Sequence, residues 1–245
     1  YEGENPDNWL MFNNELWRII GVFDESTHGK TGENLVKIIR GTSIGAFAWD
    51  KSNTNNWPAS SLYNLLNSNY YNGTNEESLT NCYQYSTTIP GICNFTETGI
   101  TSNYYREMIE NVTWKLGGIA SMSTADAVYT AERGTTVYTG RESETSGHIG
   151  LMYASDYGYS VLETSCARTT SLGSYNNASC GGKAWLRGEG HEWTLVPRSS
   201  YSSGVWHVYC GGSVSSDHAY NGYGARPSLY LKSTVKKLTG TGSIS

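Results

Sequence analysis

Apolar and polar residues alternate over three short runs near the start of the chain, at 9–13, 15–23 and 34–40. Such alternation predicts half-buried strands, with Asn13-Asn14 as a tight turn and 24–33 as a polar loop. The pattern then changes period. Ser60 precedes Leu62, Leu65 and Leu66, and Tyr105, Met108, Ile109, Val112 and Leu116 recur at helical spacing before Gly117-Gly118. Helices are predicted over 60–67 and 104–116, with a shorter one over 124–133 closed by Gly134. Beyond Tyr138, Gly, Ser, Thr, Tyr and Asn dominate, and only 149–153, 193–196 and 229–231 have the character of strands. Pro227 is suited to start the last of these, in which Leu229 and Leu231 alternate with Tyr230.

No 20–50-residue repeat or extended linker divides the chain, and its 245 residues suffice for a single core. One α+β domain over 1–245 is expected, with a meander-and-helix half at 1–137 and a loop-rich half at 138–235. Charged residues make up 16% of the chain, against about 25% in ordinary domains. Their place is taken by 19 Tyr, 8 Trp and 28 Gly, a composition suited to an extracellular β-rich protein. A net charge of −5 without a Lys/Arg cluster argues against nucleic acid, and no apolar run is long enough to span a membrane. The chain opens on Tyr1 and not on Met, as removal of a signal peptide or N-terminal anchor would leave it.

Cysteine spacing adds to the extracellular reading. Cys82 and Cys93 bracket one polar loop and Cys166 and Cys180 another, so two disulfides are expected, each worth about 3 kcal/mol, with Cys210 left over. The segment Gly41-Thr42-Ser43-Ile44-Gly45 matches a nucleophile elbow, but residues 46–58 lack the helix that an oxyanion site requires. His191, His207 and His218, with Asp217 and Cys210, lack the close pairing of zinc ligands. No cofactor is expected from them. A structural calcium held by loop oxygens stays open, because oxygen ligands impose no strict spacing. The Asn-x-Ser/Thr triplets at Asn72, Asn94, Asn111 and Asn177 are no more than chance supplies in so Asn-, Ser- and Thr-rich a chain.

The C-terminal third carries a resemblance. Trp185-Leu186, Glu192-Trp193-Thr194-Leu195-Val196-Pro197, Val205-Trp206-His207-Val208, Gly212-Ser213-Val214 and the run from Asn221 through Arg226-Pro227 to Leu231 resemble the closing pattern of a bacterial surface-protein family. That family is similar to the C-type lectin-like and formylglycine-generating-enzyme folds, and some of its members have pilin-like N-termini. The resemblance extends upstream through residues 12–22, Trp114 to Gly118, Glu132 to Tyr138 and Gly150 to Gly158, and so covers most of the chain. It implies a C-type lectin-like domain with short antiparallel strands, two or three helices and long loops that carry a binding surface.

The same stretch is similar to the variable proteins of diversity-generating retroelements, in which adenines of Asn codons are randomised. Such codons reach Tyr, Ser, His, Asp, Gly, Cys and Arg, but never Trp, Lys, Glu, Gln or Met. Between residues 194 and 231, Trp206 alone belongs to the unreachable set. The ligand-binding candidates are Arg187, His191, Arg198, Tyr201, Trp206, His207, Tyr209, Cys210, Asp217, His218, Tyr220, Asn221 and Tyr223. Tyr offers a large amphipathic surface at low entropy cost, while Ser, Gly and Asn adapt their hydrogen bonds, as in antibody paratopes. Trp185, Trp193, Trp206 and Arg226 are expected to support the fold, with a carboxylate neutralising Arg226. The expected function is a non-enzymatic, secreted or surface-displayed lectin-like adhesin or receptor-binding protein with a protein or glycan ligand. A pilin-like or surface-layer subunit is the alternative, and its partners would be pilus subunits. A formylglycine-generating type of enzyme, using Cys180 and Cys210, is the third reading.

Overall fold

A computed structural model describes residues 1–77, 80–85, 89–90, 93–237 and 239–243. The chain begins with a hairpin, β1 (Trp9–Phe12) and β2 (Glu15–Phe23). Asn13 and Asn14 both take positive φ, 52° and 59°, as the two-residue turn of a right-twisted hairpin requires. The polar loop that follows contains a helical turn, α1 (Glu25–His28), capped by Asp24. Strand β3 (Leu35–Arg40) pairs antiparallel with β2, completing the predicted meander, and β4 (Ala46–Ala48) follows.

Helix α2 (Ser61–Leu65) continues into a wide helical turn over Leu66–Tyr70. Ser60 caps it by accepting the Tyr63 N–H, and Leu62, Leu65 and Leu66 are fully buried. A small hairpin, β5 (Tyr83–Tyr85) and β6 (Ile89–Pro90), lies inside the loop closed by the Cys82–Cys93 disulfide.

The helix predicted over 104–116 does not form. It is replaced by a single turn, α3 (Asn103–Arg106), and a strand, β7 (Val112–Lys115). From Val112 onward, Val112, Trp114 and Leu116 are buried while Thr113 and Lys115 are half-buried, which is strand alternation. Helix α4 (Ala125–Glu132) forms where predicted, with Thr124 accepting the Ala127 N–H. Strand β8 (Glu144–Gly147) pairs with β7. The strand expected at 149–153 is shortened to β9 (Ile149–Gly150), because Tyr153 already begins α5 (Ala154–Gly158). A loop stapled by Cys166–Cys180 follows. The chain ends in β10 (Glu192–Pro197), β11 (Gly204–Val208), β12 (Val214–His218), β13 (Gly222–Gly224) and β14 (Ser228–Leu231).

The architecture is α+β, with more strand than helix and with short helices. Two five-stranded sheets organise it, in the orders β1-β2-β3-β14-β9 and β12-β11-β10-β13-β4. Both sheets join strands from the two halves of the sequence, since β14 pairs with β3 in one and β13 pairs with β4 in the other. Trp17, Trp49, Trp57, Trp114 and Trp193 are all fully buried in the core. Trp49 and Trp193 tie β4 to β10 through indole N–H bonds to the Thr194 and Phe47 carbonyls, at 3.2 and 2.8 Å. Among the described residues no helix is long and apolar enough to cross a membrane.

Candidate functional site

The β10 to β13 segment carries most of the candidate residues, and strand geometry decides which of them meet. Side chains two apart share a face, so the register between β11 and β12 places His207 and Val205 with Ser215 and Asp217. Trp206 and Ser216 point to the other side. On the His207 side, its ring lies 4.6 Å from Tyr223 and 5.8 Å from Trp193, and stacks on His191 at 5.3 Å with 15° between planes. Tyr223 lies 4.6 Å from Trp193, and the Tyr209 ring meets His191 edge-on at 4.5 Å. Trp193 and His207 form a buried floor, while His191, Tyr209, Asp217 and Tyr223 form a more accessible rim.

The rim is anchored by Asp217. One carboxylate oxygen accepts the Tyr223 hydroxyl at 2.5 Å and the other accepts the His218 N–H at 2.7 Å. Burial alone would push this carboxyl up, but those bonds and nearby His207 and Asn221 together hold it below its ordinary range. Tyr223 is pushed up in turn, by burial and by its bond to Asp217. His207 is held down to about 4, first by burial and then by the neighbouring His191. Neither His207 Nδ1 nor His191 Nδ1 has a partner among the described residues.

A second aromatic group adjoins the first through the 217–223 turn. His218 stacks on Tyr220 at 5.2 Å with planes 8° apart, Tyr201 meets His218 edge-on at 5.7 Å, and Tyr85 meets Tyr220 at 5.2 Å. His218 Nδ1 lies 3.2 Å from Ser203 Oγ and 3.4 Å from Asn53 Nδ2. Tyr85, Tyr201 and Tyr209 are exposed, at 43%, 47% and 42%.

The remaining candidates stand apart. Trp206 is buried with its indole N–H given to the Ile119 carbonyl at 3.0 Å, so it packs in the scaffold. Arg198 shares that side, with its guanidinium 5.8 Å from the Trp206 ring and Nη1 donating to Ser216 Oγ at 3.1 Å. Cys210 is exposed at the tip of the β11–β12 hairpin, and Arg187 is exposed in the loop before β10. The carboxylate partner of Arg226 is Glu192, 2.9 Å away in a buried pair whose geometry falls short of a directed hydrogen bond. Trp185 is buried and donates to the Tyr1 carbonyl.

Asn53 and Tyr85 were not foreseen, since they join the site from a turn and from the end of β5, more than a hundred residues upstream, and have no local motif. Ser43 sits in the elbow-like segment, but its hydroxyl bonds the Gly45 and Ala225 carbonyls, and β4 follows it where a helix would be needed. Among the described residues no group of three His, Cys, Asp or Glu side chains is arranged to hold a metal ion. No family model, curated protein or solved structure matches this chain.

Proposed function

We propose that this chain is a secreted or surface-displayed ligand-binding protein of the adhesin or receptor-binding type, with a C-type lectin-like architecture. Its ligand, a protein or a glycan, docks on the surface formed by His191, Tyr209, Asp217, Asn221 and Tyr223 together with Tyr201, His218, Tyr220 and Tyr85. The observation that carries this reading is the joining of two aromatic groups around one turn, with Tyr209 exposed beside the group over the buried Trp193–His207 floor and Tyr85 and Tyr201 exposed in the group around His218 and Tyr220. Rigid, amphipathic rings on a fixed sheet bind at little entropic cost. Two disulfides support an extracellular location.

The composition of residues 194–231 supports diversification of this surface by a retroelement, with Trp206, the unreachable residue, on the scaffold side. The enzyme reading loses support because Cys180 is bonded to Cys166 and so does not pair with Cys210.

The test is an array of glycans and cell-surface proteins probed with the wild type and with a Tyr201→Ser/Tyr209→Ser/Tyr220→Ser variant. Interface tyrosines of this kind contribute about 1–2 kcal/mol each, so at least a tenfold loss of affinity is expected at unchanged thermal stability. Undiminished binding by the variant would overturn the assignment.

A further inference from the structure

Lys37 lies in the middle of β3 with its side chain fully buried. Four rings surround its amine: Tyr153 at 4.2 Å, Trp114 at 5.4 Å, Tyr230 at 5.7 Å and Phe23 at 5.9 Å. Among the described residues its ion-pair partner is Asp156 in the first turn of α5, with Nζ 2.5 Å from Oδ2 and only 2% of the Asp156 side chain exposed. The Tyr153 N–H donates to the same oxygen at 2.8 Å, which fixes the carboxyl against the amine.

A second carboxyl, Glu132, is fully buried close by. It accepts the Ser155 N–H at 3.1 Å, the Ser155 hydroxyl, and Arg133 Nη1 at 2.9 Å. Burial pushes Glu132 up to about 7, against the pull of Arg133 and Ser155, and burial lowers Lys37 despite its carboxylate partner. Lys37 therefore reaches the free amine more readily than a solvated lysine does. None of these groups belongs to the proposed binding surface.

We propose that Lys37 and Asp156 condense to an intramolecular amide, a covalent cross-link between β3 and α5. Starting from the ion pair, the ammonium first passes one proton to the Asp156 carboxylate across the Nζ–Oδ2 contact of 2.5 Å, which frees the Nζ lone pair and leaves a neutral carboxylic acid. The lone pair attacks Cγ, the N–C bond forms and the Cγ–OH bond breaks; the oxygen leaves as water with that proton and a second hydrogen from nitrogen, and the third hydrogen remains on the amide. No oxidant or co-reactant is required. Glu132, held by Ser155 and Arg133, adds a further buried carboxyl beside the pair without bonding to it. Asp156 also lines a cavity of about 210 Å³, with Phe23, Tyr129, Ser155 and Tyr159, into which the water can depart.

Two effects favour condensation. Groups held in contact react with effective concentrations of roughly 10⁵–10⁸ M. Two buried charges also forfeit their hydration, whereas a neutral amide carries neither charge. The product would join residues 119 apart in sequence by a bond that thiols cannot reduce, a useful property in a protein exposed at a surface.

The test is the intact mass of the folded, full-length wild type after denaturation and thiol reduction, followed by peptide mapping. The expected result is a mass one water below that of the sequence, together with a branched peptide joining the segments that contain Lys37 and Asp156. A mass equal to that of the sequence would overturn the proposal, and so would a water loss that maps to a linear peptide.

Discussion

At the scale of single residues, His207 is the most informative side chain of the C-terminal aromatic group. It is buried between His191, Trp193 and Tyr223, and its pKa falls from an ordinary 6.5 to about 4. Between those pH values the unfolded chain binds a proton that the folded chain does not. Stability contributed by the neutral ring is therefore full above about 6.5 and is lost as pH falls through about 4. Glu132 works in the opposite sense, since the folded chain keeps its proton up to about 7. A comparison of wild type with His207→Gln isolates the histidine. Denaturant unfolding at a series of pH values should show the variant's acid loss reduced by up to about 3 kcal/mol, since each tenfold change in proton affinity is worth about 1.4 kcal/mol. Parallel pH profiles would show that His207 carries no such penalty. The sequence marked His207, Tyr223 and Asp217 as candidates. It could not reveal the stack on His191 or the Asp217–Tyr223 bond, because both depend on strand register.

Among the elements, the strands and the capped helices were legible wherever a local signal was strong. Asn13-Asn14 supplied the hairpin turn, and Ser60 and Thr124 supplied helix caps. The error at 104–116 has a specific cause. Ile109, Val112 and Leu116 fit helical spacing, but Val112, Trp114 and Leu116 fit a two-residue period equally well. The strand is chosen by a long-range partner, because β7 gains β8 and Ile109 bridges to Leu231. The cysteine spacing was sufficient to pair Cys166 with Cys180, whose bond closes the loop ahead of β10. Replacing both by Ser should cost about 3 kcal/mol of unfolding free energy, read from chemical denaturation. An unchanged midpoint would mean that the loop is held by its hydrogen bonds alone.

For the whole molecule, the order of strands was the least legible feature. Placing β14 between β3 and β9, and β13 beside β4, requires contacts that no window of sequence contains. That arrangement brings Asn53 and Tyr85 to the C-terminal aromatic surface, and it separates that surface from the buried side of β11 where Trp206 lies. On the proposed function, Trp193, Trp206 and Arg226 belong to the scaffold and the exposed aromatic residues to a surface that varies between isolates. The measurement that tests this most directly is sequencing of the gene's 3′ end and its flanks from many isolates of the source population. Differences should concentrate at Tyr201, Tyr209, Cys210, Asp217, His218, Tyr220, Asn221 and Tyr223, fall at adenines of a nearby template copy, and spare Trp193, Trp206 and Arg226. An invariant surface, or substitutions spread equally through those scaffold positions, would contradict it.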